Sequence, residues 1–271
     1  MRNESDNLVL CYHAVSSDWP AEIAVTPAQL ARQLQALKDR GYRGVTFGPI
    51  ARGEVVGKAV AVTFDDGFAS VIRHALPILD KLGMPATVFV PTDYMGHDLI
   101  DWSRLGRWVG TEHQRELRPM SWREVRSLSD AGWEIGSHTK SHPRLTRITD
   151  ARLSIELTDS RLECEQQIGK PCHSLAFPFG EHDDRVIAEA KRAGYSAGAT
   201  LLAGGAGRSP LHWPRVFVSR LDGARIHRVR TSAIVRRSPA LALLASAPGR
   251  IKARTTINRA VTGQEPWARS R

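Results

Sequence analysis

Two adjacent aspartates, Asp65 and Asp66, end an apolar run in the stretch AVTFDDGFAS, residues 61–70. Adjacent carboxylates repel each other, and a buried charge without a partner is costly in free energy. A divalent cation beside them would offset that cost and keep both carboxylates ionised near neutral pH. The pair therefore predicts a metal site in which one aspartate binds the ion and the other acts as a general base.

Two histidines, His138 and His142, lie in the stretch GSHTKSH, which follows the apolar run WEI. Two neutral imidazoles and one carboxylate make a three-ligand set that suits zinc or a related divalent ion. Such a set leaves positions open for water and substrate. A third polar break, PFG at 178–180, follows the run SLAF. If the three breaks meet in space, they form one metal-dependent site.

The surrounding pattern indicates how these breaks are positioned. Strand-like runs, beginning with LVLCYH at 8–13, alternate with helical periods that start at capping residues and stop at glycines. This alternation predicts a parallel sheet with helices outside, and about seven strands favour an α/β fold that is a distorted (β/α) barrel. A doubly wound open sheet is the alternative. In a barrel, the loops at the carboxyl ends of the strands share one face and carry the active site.

Composition places the chain among ordinary soluble globular proteins, with 42% hydrophobic and 24% charged residues in 271. The start, MRNESDN, lacks the basic and apolar parts of a secretory signal, and no run has the length of a membrane helix. The cysteines, Cys11, Cys164 and Cys172, are odd in number and lack metal-like spacing, which favours reduced thiols. We therefore expect a cytoplasmic protein, with a peripheral position at the inner membrane face as a variant of that expectation.

Charge divides the chain unevenly. Residues 223–271 contain eleven Arg or Lys and one acidic residue, whereas residues 1–222 hold 27 of the 38 basic and 27 of the 28 acidic residues. This asymmetry predicts a catalytic domain over 1–222 and a basic, partly disordered tail over 223–271 that packs poorly on it. An anionic membrane surface or an acidic partner would fit the tail. Nucleic-acid binding has no recognition motif in support.

The three motifs, in this order, resemble those of the polysaccharide deacetylase family, the NodB-homology domains of carbohydrate esterase family four. TFDDG at 63–67 looks like the first family motif, SHTKSH at 137–142 like the second and FPFG like the third. The resemblance covers roughly residues 7–220. It implies a distorted (β/α) barrel and metal-dependent hydrolysis of N-acetyl groups from a poly- or oligosaccharide.

The resemblance also implies roles for individual residues. Asp65 would be the base that takes a proton from a metal-bound water. The ligands of one divalent ion would be Asp66, His138 and His142. Zinc is the first choice, with cobalt, nickel or manganese as alternatives. The substrate-binding turn would be Pro178, Phe179 and Gly180, in which the backbone N–H of Phe179 binds the developing oxyanion.

Two family features are missing from their usual places. Ala176 stands where many members have an arginine oriented onto the catalytic aspartate, and Arg215 is a candidate to replace it in space. The late Leu-x-His motif that supplies a general acid is not plainly present. His227 in RIHR is one candidate for the acid, against a solvated tail histidine. Further candidate neighbours of the site are His13, which could equally be a core histidine, and His212.

Aromatic residues in the long loop 91–120 allow two interpretations. Tyr94, Trp102 and Trp108 could stack on sugar rings or pack the loop onto the body of the protein.

Two other functions stay open from the sequence alone. One is a glycan-binding barrel without hydrolysis, because of the missing arginine and the unassigned acid. The other is a non-haem iron enzyme, whose site also uses two histidines and one carboxylate.

Overall fold

The computed structural model describes residues 5–201 and 209–238, which form ten strands and eight α-helices. The strands are β1 (Asp6–Tyr12), β2 (Ala14–Val15), β3 (Ala24–Val25), β4 (Arg43–Val45), β5 (Lys58–Phe64), β6 (Thr87–Val90), β7 (Glu134–Ser137), β8 (Ser174–Ala176), β9 (Ala197–Leu201) and β10 (Trp213–Phe217). The helices are α1 (Pro27–Asp39), α2 (Phe47–Ala51), α3 (Leu76–Leu82), α4 (Trp122–Asp130), α5 (Asp150–Ile168), α6 (Asp184–Arg192), α7 (Ala224–Arg230) and α8 (Ala233–Arg237).

Seven parallel strands close into a barrel in the order β1-β10-β9-β8-β7-β6-β5, and β5 pairs with β1 to complete the ring. The predicted distorted (β/α) barrel is confirmed. The distortion has two visible causes. β7 pairs with β8 at only one position, Ser137 opposite Leu175. β4 pairs with the amino-terminal half of β5, along the edge that β6 occupies near Thr63.

Helix boundaries follow the capping residues of the sequence. Thr26 accepts a hydrogen bond from the Gln29 backbone N–H at the start of α1, where Pro27 occupies the first turn. Ser121 and Glu124 form a reciprocal capping box at α4. The segment before α3 departs from α-helical geometry, because residues 71–75 form a π-helical turn.

The barrel interior holds small residues of the strands together with side chains from α2. Phe47 and Ile50 of α2 pack inside against Val9, Phe89 and alanines of β5, β8 and β9. A larger apolar layer lies between the barrel and the outer helices. Apolar side chains of α2 thus fill much of the barrel interior.

Residues 224–237 pack on the outside of the barrel, which corrects the expectation of poor packing for this part of the predicted tail. Arg40, at the end of α1, donates hydrogen bonds to the hydroxyl and the backbone carbonyl of Thr231. Arg236 of α8 forms an ion pair with Asp6 at the start of β1. Neither these helices nor any other in the described part of the chain is long and apolar enough to cross a membrane. The remainder of the predicted tail, 239–271, lies outside the described residues.

Candidate active site

The polar breaks of the sequence meet at the carboxyl end of the barrel. Asp65 and Asp66 follow β5, the segment 138–142 follows β7, and the turn 178–180 follows β8. His13 follows β1 at the same end. Because all barrel strands are parallel, residues that follow them converge on one face.

Asp66, His138 and His142 form a compact cluster of ligand atoms. Oδ1 of Asp66 lies 3.4 Å from Nε2 of His138 and 3.5 Å from Nε2 of His142. One ligand atom from each of the three side chains lies within 4.8 Å of the others, and all three residues are buried. Bonds of roughly 2 Å to a central ion would separate the ligand atoms by about 3–4 Å, and the two distances from Asp66 fall in that range.

Hydrogen bonding fixes which nitrogen of His138 faces the cluster. Nδ1 of His138 lies 2.8 Å from the Ala176 carbonyl oxygen, to which it donates. In the neutral ring, Nε2 therefore carries a lone pair and points it at the Asp66 carboxylate. Two acceptors that face each other require a proton or a cation between them. The donor set thus fits a divalent metal ion.

The two histidines differ in their protonation. Burial opposes the charged form of His138, yet the carboxylates of Asp65 and Asp66 raise its pKa above the usual value. Burial and the neighbouring His138 lower the pKa of His142 to about 3, so His142 is neutral near pH 7. A neutral imidazole is the form that binds a metal ion.

Asp65 is held by a guanidinium rather than by the histidines. Arg215 on β10 donates from Nη1 to Oδ1 and from Nη2 to Oδ2, each over 2.7 Å. Arg215 is fully buried and also donates to Thr63 Oγ1 and the Thr200 carbonyl. Burial favours the neutral carboxyl, but Arg215 and His138 hold the pKa of Asp65 well below its usual range. Arg215 therefore contacts Asp65 in the way that the resemblance implies for the arginine absent at Ala176.

His13 lies next to the aspartates, beside a buried thiol. One ligand atom each of Cys11, His13 and Asp65 falls within 4.8 Å of the others. The Cys11 thiol donates to Asp65 Oδ2 over 3.4 Å, and burial raises the pKa of that thiol. The His13 ring packs edge-on against Phe217, and its buried Nδ1 has no hydrogen-bond partner among the described residues. His13 thus borders the aspartates at the carboxyl end of the barrel.

The turn Pro178–Gly180 forms one wall of the site. Phe179 adopts a left-handed backbone conformation with φ of 62°, and its ring is 37% exposed. The ring centroid lies 4.9 Å from that of His142, and the Arg144 guanidinium lies 4.1 Å from the ring centroid. Gly180 is required by a close approach, because a Cβ there would lie 2.8 Å from Leu201 Cβ.

Two candidate neighbours lie elsewhere. His212 stacks on His182, which in turn stacks on Phe177 in the layer outside the barrel. His227 is buried on α7, where the charged groups that act on it are Arg40 and Arg230. The structure therefore does not bring His212 or His227 to the aspartates.

Two supporting residues were not singled out by the sequence as parts of the metal site. Glu156, fully buried on α5, accepts hydrogen bonds from the backbone N–H groups of Lys140 and Ser141 and from the Ser141 hydroxyl. It thereby holds the turn that carries His142. Trp102 stacks on the ring of His142. The sequence does contain a signal for Glu156. The residue lies on the leucine-bearing face of α5, where a buried carboxylate needs hydrogen-bond partners.

Comparisons with known proteins agree with this architecture. The sequence profile of the polysaccharide deacetylase family matches residues 52–198. The candidate polysaccharide deacetylase YxkH of Bacillus subtilis is 25% identical over 205 residues, which cover 74% of this chain and 66% of that protein. A poly-beta-1,6-N-acetyl-D-glucosamine N-deacetylase of Staphylococcus aureus is 25% identical over 256 residues, covering 84% of this chain and 83% of that protein.

Among solved structures, a polysaccharide deacetylase from Bacillus cereus is similar, with a TM-score of 0.65 and 28% identity. The match covers 79% of this chain and 65% of that one. This chain thus spans slightly less than two thirds of the Bacillus subtilis and Bacillus cereus proteins.

Proposed function

Because the chain belongs to the polysaccharide deacetylase family, we propose that it is a hydrolase that removes N-acetyl groups from a poly- or oligosaccharide. One observation carries the proposal. A ligand cluster of Asp66, His138 and His142 lies directly beside an ionised Asp65 whose two oxygens are held by Arg215. This arrangement provides an ion-binding site and a fixed base within one buried space.

In the proposed reaction, Asp66, His138 and His142 hold one divalent ion, with zinc as the first choice for two imidazoles and a carboxylate. Such an ion, when bound, polarises the acetamide carbonyl and lowers the pKa of a water molecule. Burial of the three ligands excludes bulk water from the cluster.

Asp65 is the proposed general base. Its Oδ2 lies 4.0 Å from His138 Nε2, so the carboxylate borders the ligand cluster without joining it. Arg215 keeps this carboxylate ionised and fixes both of its oxygens. Asp65 accepts the proton of the attacking water. The Arg215 guanidinium prevents the Asp65 carboxylate from rotating toward the ion.

Two further groups complete the proposed reaction. The Phe179 backbone N–H donates to the developing oxyanion, as the family resemblance implies. His13 is the proposed acid for the leaving sugar amine, because it lies beside Asp65 and its Nδ1 has no other partner among the described residues.

The test is acetate release from oligosaccharides of N-acetylglucosamine, measured on the full chain with and without added zinc or cobalt. Oligomers with β-1,6 linkage come first, because the Staphylococcus aureus relative that spans 84% of this chain is named for that polymer. Acetate release that a chelator abolishes and added metal restores is the expected result. Sugar binding without acetate release would favour the glycan-binding barrel. Acetate release that survives chelation would contradict the role of the ion.

We also propose that the outer face of α7 and α8, with the basic chain that follows, contacts an anionic lipid surface. Residues 223–238 contain five arginines and no acidic residue. Leu221, Val229 and Ile234 are exposed beside them, and Arg225 and Arg228 lie on the same exposed stretch. Apolar side chains among basic ones are typical of helices that lie on membranes.

Co-sedimentation with vesicles of anionic lipid tests this surface. The full chain is compared with a chain ending at Ser238 and with one in which Val229 and Ile234 are changed to Ser. Binding that salt weakens and that both changes reduce is expected. Equal sedimentation of all three proteins would contradict the proposal.

A further inference from the structure

We propose that Trp102 is a positioning residue that holds His142 in its ligand orientation by ring stacking. The inference rests on the metal site of the proposed function and adds a residue that lies outside the three sequence motifs. Trp102 comes from the long loop after β6, 40 positions before His142 in the sequence.

The two histidines of the cluster are supported differently. Metal-binding histidines usually donate the second ring N–H to a carbonyl or carboxylate, which fixes the orientation of the ring. His138 follows this pattern through its contact of 2.8 Å with the Ala176 carbonyl. Nδ1 of His142 is buried and has no hydrogen-bond partner among the described residues. Its ring must therefore be oriented by other contacts.

Three aromatic rings contact the His142 imidazole. The Trp102 ring lies flat on it, with centroids 4.4 Å apart and an interplanar angle of 13°. His138 and Phe179 contact it at 67° and 61°, with centroids 4.7 and 4.9 Å away. The flat contact prevents the imidazole from tilting out of its plane. It thereby keeps Nε2 directed at Asp66, 3.5 Å away.

Trp102 is itself held in place. The Tyr94 ring meets it edge-on, with centroids 4.4 Å apart and an angle of 82°. The loop on either side is anchored by a backbone hydrogen bond from Ile100 to Leu117, both of which are fully buried. The stacking surface is therefore connected to the packed body of the protein and can resist movement of His142.

Stacking also suits a ligand whose ring becomes electron-poor. When an imidazole binds a cation, the ring takes on positive character, and the face of an indole attracts positive charge. Trp102 thus favours the metal-bound form of His142 over the free form. A hydrogen bond at Nδ1 normally provides this preference, and here the indole provides it.

The experiment measures metal affinity rather than activity. Zinc and cobalt are titrated by calorimetry into the full chain after chelation, for the unchanged protein and for W102A, W102F and W108A. W108A is the matched control, because Trp108 is in the same loop but packs edge-on against Trp19 and His113. We expect W102A to lose about 10–100-fold in metal affinity, as is typical when a supporting contact of a ligand is removed. W102F should retain most of the affinity, and W108A should retain nearly all of it.

Equal metal affinity in W102A and the unchanged protein would overturn the inference, as would an equal loss in W108A. If W102A does not fold, W102L takes its place, because leucine fills space without a flat ring, and affinity equal to that of W102F would overturn the inference. D66A identifies the other failure. If D66A binds metal as tightly as the unchanged protein, the metal site of the proposed function is wrong, and the inference is overturned with it.

Discussion

The two ends of the barrel hold carboxylates in different ways. At the amino end, Glu134 accepts hydrogen bonds from the Ser174 and Thr87 hydroxyls and from the Gly48 backbone N–H. At the carboxyl end, Asp66 faces the ring nitrogens of His138 and His142 at 3.4 and 3.5 Å. The first carboxylate is satisfied by neutral donors of the fold. The second faces imidazole nitrogens, and a proton or a cation must lie between Asp66 and Nε2 of His138.

Strained backbone conformations also distinguish the two ends of the barrel. Among the described residues, those other than glycine with positive φ are Asp66, Thr139, His142 and Phe179. All four lie in loops that follow β5, β7 and β8 at the carboxyl end. Each such residue costs about 1–3 kcal/mol, which the surrounding structure must supply. The amino end therefore stabilises the barrel, whereas the carboxyl end uses part of that stability to hold the candidate site.

The largest expected effect tests the catalytic side of this comparison. Asp65→Asn removes the proposed base but leaves the ligand cluster, so turnover should fall roughly 10²–10⁴-fold while metal content is retained. Acetate release and metal analysis on the same preparation provide the measurement. Near-normal acetate release with loss of metal would mean that Asp65 and Asp66 exchange roles.

Arg215→Met should destabilise the fold by about 3–5 kcal/mol, because it leaves the Asp65 carboxylate buried without its charged partner. Urea unfolding near pH 7 measures this loss. Arg52→Met is the control, because it removes an ion pair with the exposed Glu54, and pairs at exposed sites contribute little. Similar losses in the two variants would contradict the importance assigned to the buried pair.

His227 provides a third case for the comparison, a buried group away from both ends of the barrel. Its Nε2 has no hydrogen-bond partner among the described residues. Burial, Arg40 and Arg230 lower its pKa from 6.5 to about 4. The unfolded chain therefore takes up a proton at higher pH than the folded chain does. The free energy of unfolding should fall by about 3 kcal/mol between pH 7 and pH 4 on this account.

His227→Leu should remove that part of the pH dependence and leave turnover at pH 7 unchanged. Urea unfolding at several pH values and acetate release measure the two effects. An unchanged pH dependence would contradict the assignment of the effect to His227. A large loss of turnover would instead return His227 to the site.

The smallest expected effect tests the amino end. Glu134→Gln replaces a carboxylate with a neutral amide and weakens the hydrogen bonds that the carboxylate accepts. It should lower the free energy of unfolding by roughly 1–3 kcal/mol. Metal affinity and turnover should stay unchanged, because this side chain contacts α2, β6 and β8 at the opposite end of the barrel. A loss of metal affinity equal to that of D66A would show that the two ends are not separable.

Local signals account for the part of the fold that the sequence predicts. Capping at Thr26 and at Ser121 depends on residues within one helical turn, and both caps form as expected. The pairing of β4 along one half of β5 depends on contacts between distant segments, which no local pattern encodes. The packing of α7 and α8 was missed for a related reason. The arginines of these helices suggest a solvent-exposed segment. In the structure Arg236 pairs with Asp6, and Arg230 pairs with Asp222.

Prediction of the candidate site is limited in the same way, by contacts between distant segments. The expected ligand residues could be chosen because carboxylate and imidazole groups followed strands, and parallel strands bring such residues together. Arg215 was only a candidate, because its partner Asp65 is 150 positions away and spacing cannot show the contact. The stacking of Trp102 on His142 was also beyond prediction, since an aromatic residue in a loop is equally compatible with sugar binding and packing.

The pairing of the first and last barrel strands has a consequence for how the chain matures. β10 pairs with both β1 and β9, so the barrel stays an open sheet with two bare edges until residues 213–217 emerge from the ribosome. Arg215 lies on that last strand, and Asp65 therefore gains its guanidinium only in the step that closes the ring. A nascent or truncated chain that lacks β10 would hold the acidic pair without this counter-charge. Addition of β10, closure of the barrel and pairing of Asp65 with Arg215 thus occur in a single step.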